Sequence, residues 1–232
     1  MANDERPLGF AVPEWKARAR PPATPIEGRY CRIERLSVER HAAELFAASG
    51  ATPESWIYLP NDPPTDFSEY RRWLETAGQK DDPFFYAIIA RQSGRAMGLA
   101  ALMRIDPANG VIEVGNIHYA PALKRTRAGT EAMFLFMCRV FDELGYRRFE
   151  WKCDSLNAPS RRAALRYGFM FEGLFRQAVV YKGRNRDTAW FSIIDGEWPH
   201  FRAGYLQWLD PANFDTAGRQ LSTLSSRLRG GA

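Results

Sequence analysis

Three cations stand within four positions of the chain, Lys124, Arg125 and Arg127, directly before a segment with helical periodicity. The first turn of a helix leaves about four backbone N–H groups without partners, and the aligned peptide dipoles place roughly half a positive charge there. Such a turn binds anions, phosphates above all. Gly129 follows, and the absence of a Cβ atom lets a backbone approach a ligand closely. The pattern predicts a phosphate site, although three cations beside a turn are also typical of a solvated loop.

Two further pairs of residues could carry acid–base chemistry near this turn. Glu113 and His118 lie in the strand-like run that precedes it, and Asn157 and Ser160 stand at the start of a later helical segment. A carboxylate, an imidazole or a hydroxyl can accept or donate a proton during group transfer. Each also has a structural explanation: a carboxylate on an exposed strand face, a hydrogen-bonded histidine, or Asn and Ser as helix caps. The residue types alone leave both explanations open.

The composition bounds the class of protein. The 232 residues are 45% hydrophobic and 25% charged, which is ordinary for a globular chain, and no run reaches the roughly 18 apolar residues of a membrane-spanning helix. The N-terminal residues lack the apolar segment of a signal peptide, so we expect a cytoplasmic protein. The three cysteines form no C-x-x-C pair and the three histidines show no metal-ligand spacing, so we expect neither a disulfide framework nor a metal. A net charge of +5 and a pI near 9.2 suit an anionic ligand without identifying it.

Hydrophobic periodicity predicts one domain, with a proline-rich extended arm over residues 1–28 and a helical tail over residues 196–232. We expect residues 84–118 to form an antiparallel meander, and the strand after it to run parallel to the meander's last strand because a helix crosses between them. The predicted strands cover 29–35, 84–91, 95–105, 111–118, 149–153, 169–181 and 187–194; the predicted helices cover 38–48, 66–76, the basic turn to Gly145, 157–167 and one or two segments of 197–228.

Two local motifs occur in order within this pattern. The first is Thr130-Glu-Ala132, which matches the T-E-A that begins the cofactor helix of the RimJ/RimL-type N-acetyltransferases. The second is Asn157-Ala-Pro-Ser160-Arg-Arg-Ala163 with Gly168-Phe169 after it, which matches their N-x-x-S-x-x-(V/A) pattern followed by G-F. Over residues 29–195 the chain thus resembles the GCN5-related N-acetyltransferase (GNAT) superfamily. The resemblance implies a mixed α+β GNAT fold: a twisted, mostly antiparallel sheet splayed between strands four and five, with helices on both faces and a C-terminal helical extension.

The resemblance also implies acetyl-CoA as the acyl donor, with no metal. Backbone N–H groups of the basic turn would hold the pyrophosphate and the three cations would assist. The edge of the fourth strand would pair with the pantetheine arm, which the amide of Asn157 would also contact. The cofactor-binding residues expected in this way are Ile117, Tyr119, Lys124, Arg125, Thr126, Arg127, Ala128, Gly129, Thr130 and Asn157.

The turn departs from the family signature Q/R-x-x-G-x-G/A at two positions. The signature aligns with Lys124-Arg-Thr-Arg127-Ala-Gly129, so Lys124 replaces the usual Gln or Arg and Arg127 occupies the place of the central glycine. A non-glycine residue fits there if its φ is negative and its side chain points outward, but it narrows the approach of the pyrophosphate. Arg127 therefore either clamps the cofactor or obstructs it.

Acyl transfer to an amine needs a neutral amine, stabilisation of the oxyanion and a proton for the departing thiolate. An α-amine with a pKa near 8 costs about 1 kcal/mol to deprotonate at pH 7, whereas a lysine near 10.4 costs about 4 to 5 kcal/mol, so a weak base suffices for an N-terminal amine. We expect Glu113 to be the base, with His118 as the second choice. The RimL-like pattern implies Ser160 as the acid, because the tyrosine that some members of the fold place four residues before G-F is Ala164 here.

The sequence is interpreted as an N-acetyltransferase in which a protein or peptide N-terminal α-amine, or a small amine, attacks the thioester directly. The alternative is a non-catalytic GNAT-fold module that binds acyl-CoA, because Arg127 departs from the signature. Nucleic-acid binding is a weaker alternative, since the aromatic residues fall at core periodicities. The acceptor pocket is expected near Trp56, Tyr58 and Lys182, and the tryptophans of the tail, Trp198 and Trp208, would suit either internal packing or a homodimer.

Overall fold

A computed structural model describes residues 7–50 and 52–229. In these residues the α-helices are α1 Val38–Leu45, α2 Phe67–Gly78, α3 Arg127–Met137, α4 Ala158–Arg166, α5 Trp198–Leu209 and α6 Leu224–Arg229. The strands are β1 Ile26–Glu27, β2 Cys31–Arg35, β3 Phe84–Ala90, β4 Arg95–Asp106, β5 Val111–Tyr119, β6 Arg148–Asp154, β7 Met170–Tyr181 and β8 Arg184–Ile194. The π-helical turns Phe46–Gly50 and Cys138–Glu143 extend α1 and α3, and 3-10 turns lie at Pro53–Trp56 and Pro211–Asn213.

All the strands belong to one sheet in the order β1-β2-β3-β4-β5-β6-β8-β7. Every neighbouring pair is antiparallel except β5 and β6, which the crossover through α3 makes parallel, as predicted. The parallel pair is joined only from Val111 to Val114 on β5 and from Arg148 to Trp151 on β6. Beyond these residues the two strands diverge. The predicted GNAT fold, splayed between the fourth and fifth strands of the sequence-based assignment, is thereby confirmed.

The hydrophobic core lies on both faces of the sheet. On one face Met133, Phe136 and Met137 of α3 are fully buried against the strands, and the apolar stripe predicted for this helix accounts for that contact. On the other face α1 and α2 pack Leu45 and Leu74 against β3 and β4. Burying each large apolar side chain contributes about 1.5 to 3 kcal/mol, so the two helical layers fix the sheet that carries the cleft.

The structure corrects several sequence-based boundaries. β1 was assigned to the arm, but Ile26 and Glu27 pair with β2, a contact too short to show in a periodicity. β8 begins at Arg184 rather than 187, because Lys182 and Gly183 both have positive φ and close a two-residue hairpin. Residues 210–223 of the tail are mainly not helical: a 3-10 turn follows Asp210, and Phe214 then pairs with Gln220 across a short hairpin.

The described part of the N-terminal arm lies against the domain. The indole of Trp15 donates to the carbonyl of Ala108 at 2.7 Å, which attaches the arm to the turn between β4 and β5. Arg139, which is 2% exposed, donates to the carbonyl of Pro22 at 3.2 Å and to that of Thr24 at 2.8 Å. Its Nε lies 2.8 Å from Glu143 Oε2, so this ion pair and the bonds to the carbonyls offset the cost of burying the charge and fix the arm to the extension of α3.

Candidate active site

A deep cleft of about 2030 Å³ opens where β5 and β6 diverge. Drug-sized ligands occupy pockets of about 300 to 1,000 Å³, so this cleft has room for two ligands end to end. β5 is irregular at the opening: its register with β4 shifts between Leu99 and Ala101, and Asn116 has a φ of 49°. Such a bulge bends the strand away from its neighbour and exposes its backbone.

The unpaired edge of β5 forms one wall of the cleft. Ile117 and Tyr119, which are expected to bind the cofactor, both line it. β4 pairs with β5 as far as Tyr119 on the other side, while β6 leaves residues 115–119 unpaired. An edge of this kind offers N–H and C=O groups to an extended, amide-containing ligand. The hydroxyl of Tyr119 is buried without a partner in the described structure, and burial raises its pKa well above its usual value.

The basic turn stands at one end of the cleft, and α3 begins inside it. Thr126 is the N-cap: its hydroxyl accepts from the N–H of Gly129 at 3.0 Å and its carbonyl from that of Thr130 at 3.1 Å. Among the described residues, the N–H groups of 125–128 have no partner. All four of these residues line the cleft, together with Lys124. The turn therefore presents four unpaired donors to the cleft, and the N–H groups of Gly129 and Thr130 are used by the cap instead.

The backbone of the turn explains why Gly129 is a glycine and why Arg127 can replace the signature's central glycine. A Cβ atom at Gly129 would lie 2.4 Å from the carbonyl oxygen of Leu123, so the glycine serves the turn's own packing. The residue in the left-handed region is Arg125, with a φ of 62°. Arg127 is the first residue of α3 and therefore has helical backbone, which needs no glycine.

Positive charge is concentrated at this end of the cleft. Within the described structure, six of its cations have no carboxylate within ion-pair distance. Arg166 instead donates to the hydroxyl of Thr130 at 3.2 Å, across from α4. Uncompensated cations next to free N–H groups suit a ligand with several phosphates. The cations of this cluster are Arg29, Lys124, Arg125, Arg127, Arg162 and Arg166.

Glu113 lies deeper in the same cleft, on the wall formed by β5. Its side chain is 7% exposed, and Lys152 Nζ is 2.9 Å from Glu113 Oε2 and 2.7 Å from Glu150 Oε2. The parallel register places Glu113 directly beside Glu150, which explains why one lysine serves both. Arg104 Nε is 3.6 Å away, and the ring of Trp190 lies 3.7 Å below the ammonium group. Burial raises the pKa of Glu113 against the opposing effect of Lys152, which suits a group that accepts a proton near neutral pH.

His118, the second candidate base, does not reach the cleft surface. It is 4% exposed, and its Nε2 is 2.8 Å from the hydroxyl of Ser55, which itself donates to the carbonyl of Thr52 at 2.7 Å. The imidazole must therefore donate to Ser55. Burial, assisted by Lys124, lowers the pKa of His118 to about 4. His118 is thus neutral at pH 7 and separated from the cleft by Ser55, which does line it.

Asn157 and Ser160 face the cleft from the N-terminus of α4, where both also have structural contacts. Asn157 Oδ1 accepts from the N–H of Ser160 at 3.1 Å, so Asn157 caps α4, which is one of the two explanations that the sequence allows for it. The hydroxyl of Ser160 accepts from the indole of Trp151 at 3.0 Å. A hydroxyl that accepts in this way keeps its hydrogen to donate, so Ser160 remains available as an acid.

Several residues of the cleft carry no sequence signal. Lys152 and Trp190 stand on strands and alternate with core residues, and only the pairing of β5, β6 and β8 brings them to Glu113. Tyr30 and Phe214 lie beside Arg127; Tyr30 directly precedes β2 and Phe214 belongs to the tail. Contacts between segments this far apart in sequence cannot be inferred from one chain without its topology.

In the part of the chain that the structure describes, no helix is long and apolar enough to cross a membrane. Across 7–50 and 52–229, no three His, Cys, Asp or Glu side chains are grouped to hold a metal ion. The cysteines are unpaired, and Cys31 and Cys153 are buried.

Comparison with known proteins gives consistent matches. Residues 32–170 match the acetyltransferase (GNAT) domain family. A crystal structure of a GCN5-related N-acetyltransferase from Brucella melitensis is 52% identical, covers 94% of this chain and 99% of its own, and superposes with a TM-score of 0.92. An uncharacterized N-acetyltransferase from Bacillus licheniformis is 26% identical over 174 residues, which are 72% of this chain and 95% of that relative.

A more distant structural neighbour comes from Salmonella typhimurium. It is described as the acetyl transferase that modifies the N-terminal serine of a 50S ribosomal subunit protein. It is 19% identical, covers 74% of this chain and 99% of its own, and has a TM-score of 0.63. At this identity the likeness shows a shared fold.

Proposed function

Because the chain belongs to the GNAT acetyltransferase family and is an acetyltransferase, we propose that it transfers the acetyl group of acetyl-CoA to a primary amine. The acceptor is a protein or peptide N-terminal α-amine or a small amine, which attacks the thioester directly. One observation carries this proposal. The four free N–H groups of the turn and the carboxylate of Glu113 line the same cleft, and the unpaired edge of β5 runs between them.

The residues of the cleft fit the cofactor. When bound, acetyl-CoA supplies the acetyl group as an activated thioester. The N–H groups of 125–128 and the neighbouring cations bind the phosphates, while the β5 edge at Ile117 and Tyr119 aligns the pantetheine and Asn157 orients it. This division of labour follows the charge of the cleft, which is basic at the turn and mixed around Glu113.

Glu113 accepts the proton of the attacking amine, directly or through one water. Burial raises its pKa, which makes the carboxylate a stronger base than an exposed one. Ser160 donates a proton to the departing sulfur and is in turn held by the indole of Trp151. Lys152 holds the carboxylate of Glu113 in place and prevents two buried carboxylates from facing each other without a counter-charge.

An α-amine is the favoured acceptor class. The T-E-A and N-x-x-S motifs resemble the RimJ/RimL type, and the neighbour from Salmonella typhimurium has the same fold. A carboxylate is a weak base, which suits an amine that is easily deprotonated. In this proposal the arm covers residues 1–28, the acetyltransferase domain 29–195 and the tail 196–232. A cytoplasmic location and a homodimer remain predictions.

A panel of amines tests the proposed activity. Release of free thiol from acetyl-CoA is measured with peptides bearing free N-termini, the same peptides with blocked N-termini, polyamines and aminoglycosides. Turnover well above hydrolysis is expected with free N-termini and not with blocked ones. Thermal unfolding with coenzyme A, which must raise the midpoint if the cleft binds it, checks binding separately. Absence of turnover with every amine, despite binding, would favour a non-catalytic acyl-CoA-binding module.

A further inference from the structure

Two aromatic rings from opposite ends of the chain hold the guanidinium of Arg127. Its central carbon is 5.0 Å from the ring centroid of Tyr30 and 4.5 Å from that of Phe214. Tyr30 precedes β2 and Phe214 follows α5, so both lie outside residues 32–170, which match the family. The residue that stands in the place of the signature's central glycine is therefore packed against parts of the chain that the family pattern does not contain.

The two rings leave the hydrogen-bonding edge of the guanidinium free. A guanidinium has five N–H donors, and a contact between its charge and an aromatic ring does not require any of them to form a conventional hydrogen bond. In the described structure no hydrogen bond or ion pair engages this side chain, and Arg127 lines the cleft. Aromatic faces attract a cation without neutralising it. Arg127 thus remains fully charged beside the four unpaired N–H groups of the turn.

Both rings are themselves fixed. The hydroxyl of Tyr30 donates to the carbonyl of Leu209 at 3.0 Å, which joins the entry to β2 to the end of α5. Phe214 packs edge-on against Trp208, with ring centroids 5.2 Å apart. A long arginine side chain normally loses conformational entropy when a ligand binds, and that loss weakens binding. Because the rings already order Arg127 in the folded protein, the entropy is lost on folding instead.

The segment that carries Phe214, the C-terminal hairpin of residues 213–222, is closed by a buried asparagine. Asn213 Nδ2 donates to the carbonyl of Trp208 at 3.0 Å, and Asn213 Oδ1 accepts from the N–H and the hydroxyl of Ser222 at 3.0 and 2.6 Å. Phe214, Gly218, Arg219 and Gln220 of this hairpin line the cleft. The hairpin is thus a built wall of the cleft at its phosphate end.

We propose that Tyr30 and Phe214 are positioning residues of the coenzyme A site, which hold the guanidinium of Arg127 in the geometry that binds a phosphate. The residue before β2 and the C-terminal hairpin then complete a cofactor site that residues 32–170 alone leave open. This inference rests on the proposed function. It resolves the departure from the signature in favour of a clamp, because the side chain points out of the turn toward the rings and its backbone is helical.

Titration calorimetry with coenzyme A tests the role of Arg127. Arg127→Ala should raise Kd about 10- to 100-fold, the range for one charge-assisted hydrogen-bonded contact. Arg127→Gly, which restores the signature residue, should weaken binding as well. If instead it tightens binding, the arginine obstructs the site and the inference is overturned.

The same titration tests the positioning role of the ring. Phe214→Ala should raise Kd about 3- to 10-fold, whereas Phe214→Tyr keeps the ring and should bind as the wild type does. Leu221→Ala is the matched control, because Leu221 lies in the same hairpin, is 69% exposed and does not line the cleft. Equal losses in the Phe214→Ala and Leu221→Ala variants would contradict a specific role for the ring. Thermal unfolding of each variant without ligand shows whether it is folded.

Pantetheine, which has no phosphates, separates phosphate binding from general damage to the cleft. The loss of affinity in Arg127→Ala should be at least about tenfold larger for coenzyme A than for pantetheine. Equal losses for the two ligands would overturn the inference. Failure of the wild type to bind coenzyme A would refute the proposed function, whereas wild-type binding that is unchanged in every Arg127 and Phe214 variant would refute only this inference.

Discussion

Glu131, the central residue of the T-E-A motif, is predicted to be a major contributor to stability. Its buried carboxylate accepts from the backbone N–H groups of Arg29 at 2.9 Å, Tyr30 at 2.6 Å and Cys31 at 2.8 Å. It thereby ties α3 to the segment that enters β2. The fit is tight, since a Cβ atom at Gly28 would lie 2.5 Å from Glu131 Oε2.

The expected effect of Glu131→Gln follows from these three bonds. A hydrogen bond to a charged group contributes about 1.5 to 3 kcal/mol, and a buried donor left without a partner costs about 1 to 3 kcal/mol. Glutamine keeps one oxygen, which can still accept from one or two of the N–H groups, but its NH₂ group faces the remaining donors. We therefore expect a loss of about 3 kcal/mol in the free energy of unfolding. For a chain of this length that lowers Tm by about 6 to 12 °C.

Urea unfolding followed by tryptophan fluorescence measures this loss, and Glu75→Gln is the matched control. Glu75 forms an exposed i,i+4 pair with Arg71 at 3.0 Å, with side chains 45% and 49% exposed, so the same substitution there should cost less than about 0.5 kcal/mol. Hydrogen exchange at the amides of 29–31 should accelerate in the Glu131 variant. A loss below about 1 kcal/mol, or one equal to that of the control, would refute the reasoning.

Three further predictions concern the cleft. Glu113→Gln should reduce kcat about 100-fold or more, with the largest reduction for amines of high pKa. The control Glu54→Gln, which changes an exposed carboxylate on the same cleft, should leave kcat unchanged. Equal kcat values for the wild type and Glu113→Gln across a panel of amines would exclude Glu113 as the base. Burial lowers the pKa of His118 from 6.5 in the unfolded state to about 4 in the folded state, so the unfolded state binds the proton first as pH falls. The free energy of unfolding should therefore fall by about 3 kcal/mol between these two pH values. Urea unfolding of His118→Gln at pH 7 and pH 4 should show a smaller dependence on pH, and a dependence equal to that of the wild type would contradict this. Gly129→Ala should lower the free energy of unfolding by about 1 to 3 kcal/mol and weaken coenzyme A binding, because the added Cβ atom would lie 2.4 Å from a carbonyl oxygen. Gly173→Ala, where no atom lies within 4 Å of the added Cβ, should change the free energy of unfolding very little. Similar losses in both variants, measured by urea unfolding, would show that the turn can move to accept the Cβ atom.

Much of the fold follows from local patterns. The stripe of α3, the turns of the meander and the caps at Ser37, Thr126 and Asn157 are encoded within a few residues, and the parallel pairing follows from the crossover helix. Asp66 caps α2 as its spacing with Glu69 indicates, although the Glu69 side chain bonds to Thr65 instead of returning to Asp66.

The cleft was less predictable than the fold. The sequence locates the turn and Glu113. The ion pair between Glu113 and Lys152 depends on the register of two strands, which the sequence does not show. His118 is excluded from the cleft because it is buried against Trp56, with ring centroids 4.9 Å apart. The position of Arg127 between Tyr30 and Phe214 joins residues about 90 positions or more apart, for which one sequence carries no periodic signal. In the tail, Trp198 and Trp208 are 5% and 3% exposed, so internal packing accounts for their burial.

Amide hydrogen exchange with and without acetyl-CoA tests the central claim most directly, because it reads the proposed cofactor contacts one N–H at a time. The amides of Arg125, Thr126, Arg127 and Ala128, which have no partner within the described structure, should exchange markedly more slowly when acetyl-CoA is bound, together with those at the free edge of β5. The amides of the β7 and β8 hairpin turn should not change. Protection elsewhere on the protein, with the turn and the β5 edge unaffected at saturating acetyl-CoA, would contradict the assignment of this cleft.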